Sequence, residues 1–223
     1  MHYPATFYSG APYPIDELIA GNAHLIESRK RMLAEGDLKR GSVLGIDRTS
    51  QTTRIAAADG NTGNADLSAV VVSAGRAAMP GVYVLLCTAA SADAGTFEVR
   101  TPNGVDLGDL TVAQAFASEH ISLTLPDGAT DWDVGDVVHV TVADDGQMKL
   151  AAVGAVDGSA EPCAILSEDC DASLAPKACM CHFQGEFTAQ ALTFGTGHTA
   201  ALVRESLRGK GIRLIDALPA NER

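Results

Sequence analysis

The sequence predicts a mainly β fold, α+β in class, with a single helix near the C-terminus. Three observations carry this. Short apolar runs of strand-forming residues recur between residues 69 and 142 at intervals of about ten residues, with turn dipeptides between them. Only one stretch, 198–208, spaces its apolar residues as a helix does. Finally, 22 glycines and a 5% aromatic content describe a turn-rich chain of small residues. The 223 residues are 46% apolar, which suits one large domain or two small ones and is not the composition of a disordered chain.

The elements follow in order. Residues 1–14, MHYPATFYSGAPYP, hold Pro4, Pro12 and Pro14, which oppose helix and favour extended backbone. Tyr3, Phe7, Tyr8 and Tyr13 give this tail an apolar character. It either packs back on its own domain or lies as an arm on a partner, with strand addition as one mode. IDELIAGN (15–22) reads as a short helical turn ending at Gly21. HLIESRKRMLAEGDLKRG (24–41) has helix-forming composition, yet Ile26 and Met32 fall in period-two phase; pattern alone leaves helix and strand open. KRGSVLGID (39–47) and TRIAAA (53–58) read as strands around a polar turn at Arg48–Gln51.

DGNTGNAD (59–66) is a linker by composition. Beyond it the strand candidates are AVVV (69–72), VYVLLCT (82–88), TFEVRT (96–101), HISLTL (120–125) and VVHVTV (137–142). Asn103-Gly104 and Asp127-Gly128 mark turns. Together these describe a small antiparallel sandwich or barrel. Phe97 and Val99 alternate with Glu98 and Arg100, and Trp132 is placed to plug one end of the core. The last third offers GQMKLAAV (146–153), CAILSEDC (163–170) and KACMCHFQGEF (177–187) as further β segments. In the helix at 198–208, Leu202, Val203 and Leu207 share a face and Gly209 is the expected stop. GIRLIDAL (211–218) reads as a closing strand.

Charge narrows the partners. The net charge is −12, and residues 41–147 carry 4 basic and 14 acidic side chains, −10 of that total. Such a chain lacks the basic footprint of a nucleic-acid binder and is repelled by anionic membrane surfaces. No apolar run approaches a membrane span, and the N-terminal residues have neither a basic start nor an apolar core, so nothing suggests secretion. Five cysteines at irregular spacing leave one over in any disulfide framework and read as free thiols from a reducing cytoplasm.

The search for chemistry is unproductive. Cys179, Cys181 and His182 lie close together, with Cys163 and Cys170 upstream. A C-x-C pair on a strand puts both sulfurs on one face, as ligands or as small core residues; the core reading is preferred. Asp127, Asp131, Asp133 and Asp136 form the densest acidic cluster, without an EF-hand pattern, and read as a solvated turn. No HExxH or GxSxG occurs, and GTGHT (195–199) lacks the rest of a phosphate loop; Thr196 or Thr199 as a helix cap explains it.

ELIAG (17–21), LKRGSVLGID (38–47), DGSAEPCAILSEDCDAS (157–173), GEFTAQALTF (185–194), a helix and GIRLIDAL occur in that order. In this collinear order they resemble the lambda-type head decoration proteins of tailed phages. The resemblance covers roughly residues 15–58 and 146–223. The stretch between is similar to the β-rich insertion of longer phage decoration proteins, through GVYVLLCTAASADAGTFEV and DGATDWDVGDVVHVTV.

The resemblance implies a small β-barrel-like (β-tulip) base from residues 15–59 and 146–223, an extended arm at 1–14, and an inserted, acidic, sandwich-like β domain at 60–145. It tips 24–34 from helix to strand. It implies a structural virion protein with no enzymatic activity, cofactor or metal. Trimers would sit at three-fold positions outside the expanded head and clamp the major capsid protein. Tyr3, Phe7, Tyr8, Tyr13 and Ile15 would be the capsid-contact residues. The protein would be made in the host cytoplasm and reside on the outer capsid surface, without nucleic-acid or membrane partners. Two other readings stand beside it. The insertion is a host-surface glycan binder, or Cys179, Cys181 and His182 assemble a metalloprotein or hydrolase site that a zinc assay would test.

Overall fold

The computed structural model describes residues 17–216. In chain order the strands are β1 (Ile19–Gly21), β2 (Glu27–Leu33), β3 (Asp37–Leu38), β4 (Val43–Asp47), β5 (Thr53–Ala57) and β6 (Ser73–Ala74). There follow β7 (Gly81–Ser91), β8 (Ala94–Arg100), β9 (Asp106–Thr111), β10 (Ala115–Ala117), β11 (Ile121–Thr124) and β12 (Val137–Val142). The chain ends with β13 (Gln147–Leu150), β14 (Pro162–Leu166), β15 (Cys170–Asp171), β16 (Lys177–Thr188), helix α1 (Ala200–Gly209) and β17 (Ile212–Ile215). The fold is mainly β with one C-terminal α-helix, as the sequence predicts.

The two ends of the chain build one sheet system. Its order runs β16-β14-β4-β13-β2, and β2 pairs back onto β16, so these five strands close a small barrel. The closure is thin on one side, where β13 and β2 meet in parallel at Met148 and Leu33. Leu33, Leu44, Met148, Leu166, Cys179 and Cys181 come from the barrel strands and form one buried cluster. The C-terminal half of β16 runs beyond the barrel. There β1 pairs with it antiparallel and β17 pairs with it parallel. Helix α1 covers this extension, burying Val203 and Leu207 against Phe187, Ile212, Leu214 and Leu18.

Residues 53–142 make a second layer pair. A five-stranded sheet, β5-β12-β7-β8-β9, faces a three-stranded one, β10-β11-β6. Tyr83, Leu85, Phe97 and Val140 from the first meet Ile121, Leu123 and Leu125 in one apolar cluster. Alternation does the sorting along β8: Phe97 and Val99 are inside and Glu98 and Arg100 face outward. Trp132 closes the core, edge-on to Phe97 at 5.4 Å between ring centroids.

Several expectations are corrected. Residues 19–21 form a strand, not a helical turn, because Ile19 and Gly21 pair with Phe187 and Glu186 on β16; a few helix-forming residues cannot hold a turn against that ladder. The open segment at 24–34 is strand β2, entered through a single 3-10 turn at Ala23–Leu25. AVVV (69–72) is not a strand; a turn closes from Val70 N–H to Leu67 C=O, Val71 is exposed, and pairing is confined to Ser73–Ala74. Strands β9 and β10 were not foreseen, being polar (DLGDLT) and short (AFA). Leu202 is 67% exposed and does not share the buried face of Val203 and Leu207. Gly209 is the last helical residue, and the left-handed residue that ends the helix is Gly211, with φ 89°. The closing strand is Ile212–Ile215; residues 217–218 lie outside the described part.

Candidate functional site

Tyr3, Phe7, Tyr8, Tyr13 and Ile15, the expected contact residues, lie outside the described residues. The point from which that segment departs is well fixed. Leu18 is 2% exposed within the helix-covered core, and its carbonyl accepts from Thr188 N–H at 2.9 Å. Asn22 Nδ2 donates to Glu186 Oε2 at 2.7 Å. Glu186 also forms one wall of a groove of about 650 Å³ between α1 and β17, with Leu25, Arg208, Arg213 and Ile215. Arg204 reaches across it. Its guanidinium donates to Leu214 C=O at 2.5 Å and to Asp216 at 2.7 Å, so one carbonyl of β17 is occupied by a side chain.

The thiols are core residues. Cys179 and Cys181 are both buried on one side of β16, with their sulfurs 3.6 Å apart, and Cys163 and Cys170 belong to the same apolar cluster. All five cysteines are free. The hydrogen bond between the two thiols draws Cys179 down and pushes Cys181 up, and burial adds to the rise at Cys181. Burial pushes the Cys163 thiol up to about 11. His182, one residue on, faces the other side of the strand. Its Nδ1 is 2.8 Å from Ser28 Oγ and its ring stacks on Phe187. The three residues of the metalloprotein reading therefore do not converge.

The acidic cluster divides in two. Asp136 is 5% exposed, not solvated as expected. Its carboxylate accepts from the N–H groups of Thr62, Gly63 and Asp133 at 2.8, 2.8 and 3.0 Å. Burial works to raise its pKa, but these backbone donors outweigh it and hold the carboxyl below its ordinary value. Asp136 thus ties the 59–66 segment to the start of β12. Asp127 and Asp131 instead meet Asp93, with one oxygen of each within 4.8 Å of the others. Among the described residues this is the group whose ligand atoms could surround a cation, on loops where Asp93 and Asp131 are exposed.

One further contact joins the halves of the molecule, beside an ion cluster that lies within the barrel half. Lys149 Nζ lies 2.8 Å from Asp47 and 3.0 Å from Asp157. Beside it, Arg48 Nη1 donates to Ala78 C=O at 3.0 Å, linking the turn after β4 to the loop before β7. The buried Tyr83 hydroxyl accepts from Met79 N–H and lies 3.1 Å from His120 Nδ1. Burial holds the His120 imidazole below its usual pKa. The GTGHT loop is not an open cradle. A side chain at Gly195 would strike Ala151 C=O, and His198 Nε2 is 2.9 Å from Ala160 O. Thr199 is the helix cap. Trp132 is 1% exposed and donates to Pro126 C=O, so it offers no stacking platform to a sugar. No described helix is long and apolar enough to cross a membrane.

No protein-family model and no curated protein matches the chain. Two crystal structures of Xanthomonas campestris FlgL, in space groups H3 and C2, resemble it at 16% identity and a TM-score of 0.31. The match covers 48% of this chain and 33% of FlgL, and a likeness this slight bears neither on fold nor on function.

Proposed function

We propose that the protein is a lambda-type capsid decoration protein that binds as a trimer to the outside of the expanded phage head. The observation that carries this reading is the collinear run of resembling segments at both ends of the chain. The architecture supports it. LKRGSVLGID, the AILSED segment, GEFTAQALTF and GIRLIDAL supply β4, β14, β16 and β17, which all belong to one sheet system capped by α1. The acidic stretch that departs from the short family members holds a separate apolar cluster. The arm at 1–14 contacts the major capsid protein, and the acidic module points away from it.

The mechanism is linkage. A trimer that binds only the expanded lattice stabilises that lattice by its binding free energy, and the clamp resists the pressure of packaged DNA. No bond is made or broken. Co-sedimentation of the purified protein with expanded, undecorated heads tests the reading. Saturation at about three copies per three-fold site is expected for a closed trimer, and deletion of residues 1–14 should abolish it. Failure of the folded protein to bind at all overturns the proposal.

A further inference from the structure

Asp93, Asp127 and Asp131 each bring one carboxylate oxygen within 4.8 Å of the other two. Two loops supply them. Asp93 lies at the tip of the β7–β8 hairpin, which the Ser91–Ala94 pair closes, and its φ of 52° is left-handed. Asp127 and Asp131 lie on the segment between β11 and β12. Asp93 N–H donates to Asp131 Oδ1 at 3.3 Å, which brings the two loops together. The second loop is anchored to the module's core, because Trp132 donates to Pro126 C=O and packs on Phe97.

Acidic side chains on loops are common without a ligand, and their proximity alone decides nothing. The deciding observation is at Asp127. Its Oδ1 is shut off from water and has no hydrogen-bond partner. Asp136, on the same loop, shows the ordinary solution for a buried carboxylate, with three backbone N–H donors turned toward it. An oxygen buried without a donor is rare in folded proteins, and an ion or a water is the usual reason for one. None of the three carboxylates has an ion-pair partner among the described residues. A water would satisfy the orphaned oxygen and leave three like charges in contact; a cation removes both costs. The donors are all oxygen, which selects a hard cation. Oxygens this close can share one ion at the roughly 2.3–2.6 Å that calcium prefers. Calcium also accepts the irregular geometry of two loops, where magnesium demands a near-ideal octahedron.

We propose that Asp93, Asp127 and Asp131 form a calcium site that fastens the tip of the β7–β8 hairpin to the loop before β12. The three carboxylates supply the protein ligands, and water completes the shell on the exposed side. With only three carboxylates and one side open, the site belongs with weak calcium modules, at a Kd of about 0.1–1 mM. Binding stabilises the acidic module, to which all three ligands and Trp132 belong. The inference does not rest on the proposed role on a phage head.

The test uses the full chain, treated with a chelator and then titrated calorimetrically with calcium chloride, which should report one site. In urea denaturation read by Trp132 fluorescence, about 10 mM calcium should lower the unfolding constant at least tenfold, by linkage to a Kd of this size. Magnesium at the same concentration should lower it less than about threefold, because the loops do not offer it an octahedron. Asp127→Asn keeps the shape and removes the uncompensated charge, so it should be more stable than wild type in chelator and less stable in calcium. Asp93→Asn, on an exposed turn whose left-handed backbone suits Asn, should weaken calcium binding at least tenfold and gives the answer should Asp127→Asn not fold. Asp109→Asn, an exposed carboxylate of β9 outside the cluster, should bind as wild type does. No heat and no shift in stability with calcium, equal stabilisation by magnesium, or wild-type binding in Asp93→Asn each overturns the proposal. So does an equal loss of binding in Asp109→Asn, or the same change of stability in Asp127→Asn with and without calcium.

Discussion

Asp136 illustrates what a single buried carboxylate does here. Three backbone N–H groups from two segments converge on it. Removing the carboxylate strands those donors in a site closed to water. Asp136→Ala should cost about 3 kcal/mol of stability, from the usual penalty for unmaking charge-assisted hydrogen bonds, measured by urea denaturation. His120 predicts a pH dependence. Its folded-state pKa lies below 6.5 because burial disfavours the imidazolium. The unfolded chain therefore takes up the proton first as pH falls, so the stabilisation is complete above pH 6.5 and lost as pH drops through the folded pKa. Wild type should lose more stability than His120→Gln between pH 7 and pH 5; parallel losses would remove His120 as the cause. Neither role was legible beforehand. Four aspartates within ten residues look alike in sequence, and only the packing of the DGNTG segment against β12 selects Asp136. Cys179 and Cys181 were legible, because period two puts both sulfurs on one face whatever their role.

At the scale of elements, local signals succeeded where a segment's own pattern decides and failed where a neighbour decides. VVHVTV alternates cleanly and is β12 over the same six residues. The helix was found for the same reason, but its face was assigned one residue too wide. Val203 and Leu207, one turn apart, are buried while Leu202 faces solvent. Leu207→Ala should cost about 3 kcal/mol and Leu202→Ala less than about 0.5 kcal/mol, and equal costs would mean that the helix is rotated. Thr199→Ala, at the cap, should cost about 1 kcal/mol. Strand β2 is the opposite case. Nothing in ESRKRML compels a strand; the edge of the twelve-residue β16, which pairs with it from Leu33 to Glu27 across one register shift, does. The same dependence on a neighbour leaves β2 exposed.

The described residues hold a barrel cluster and a helix-covered cluster in one half and a third cluster in the acidic module, and the barrel and the module each contain a separate reporter. Trp132 is the sole tryptophan and packs on Phe97 within the acidic module. Four of the five cysteines belong to the barrel cluster, with only Cys87 in the module. The contact described between the halves is polar, Arg48 to Ala78. Polar contacts of this kind couple domains weakly compared with a shared apolar core. The two interiors should then unfold as separate units. Phe97→Ala should lower the stability read by tryptophan fluorescence by about 3–5 kcal/mol and leave the exposure of Cys179 and Cys181 to a thiol reagent at its wild-type urea midpoint. Leu44→Ala, in the barrel, should do the reverse. If either substitution moves both transitions together, the polar junction transmits stability and the molecule is one cooperative unit. Independent transitions would mean that the acidic module can be replaced or lost without unmaking the barrel, whose own apolar cluster would remain intact.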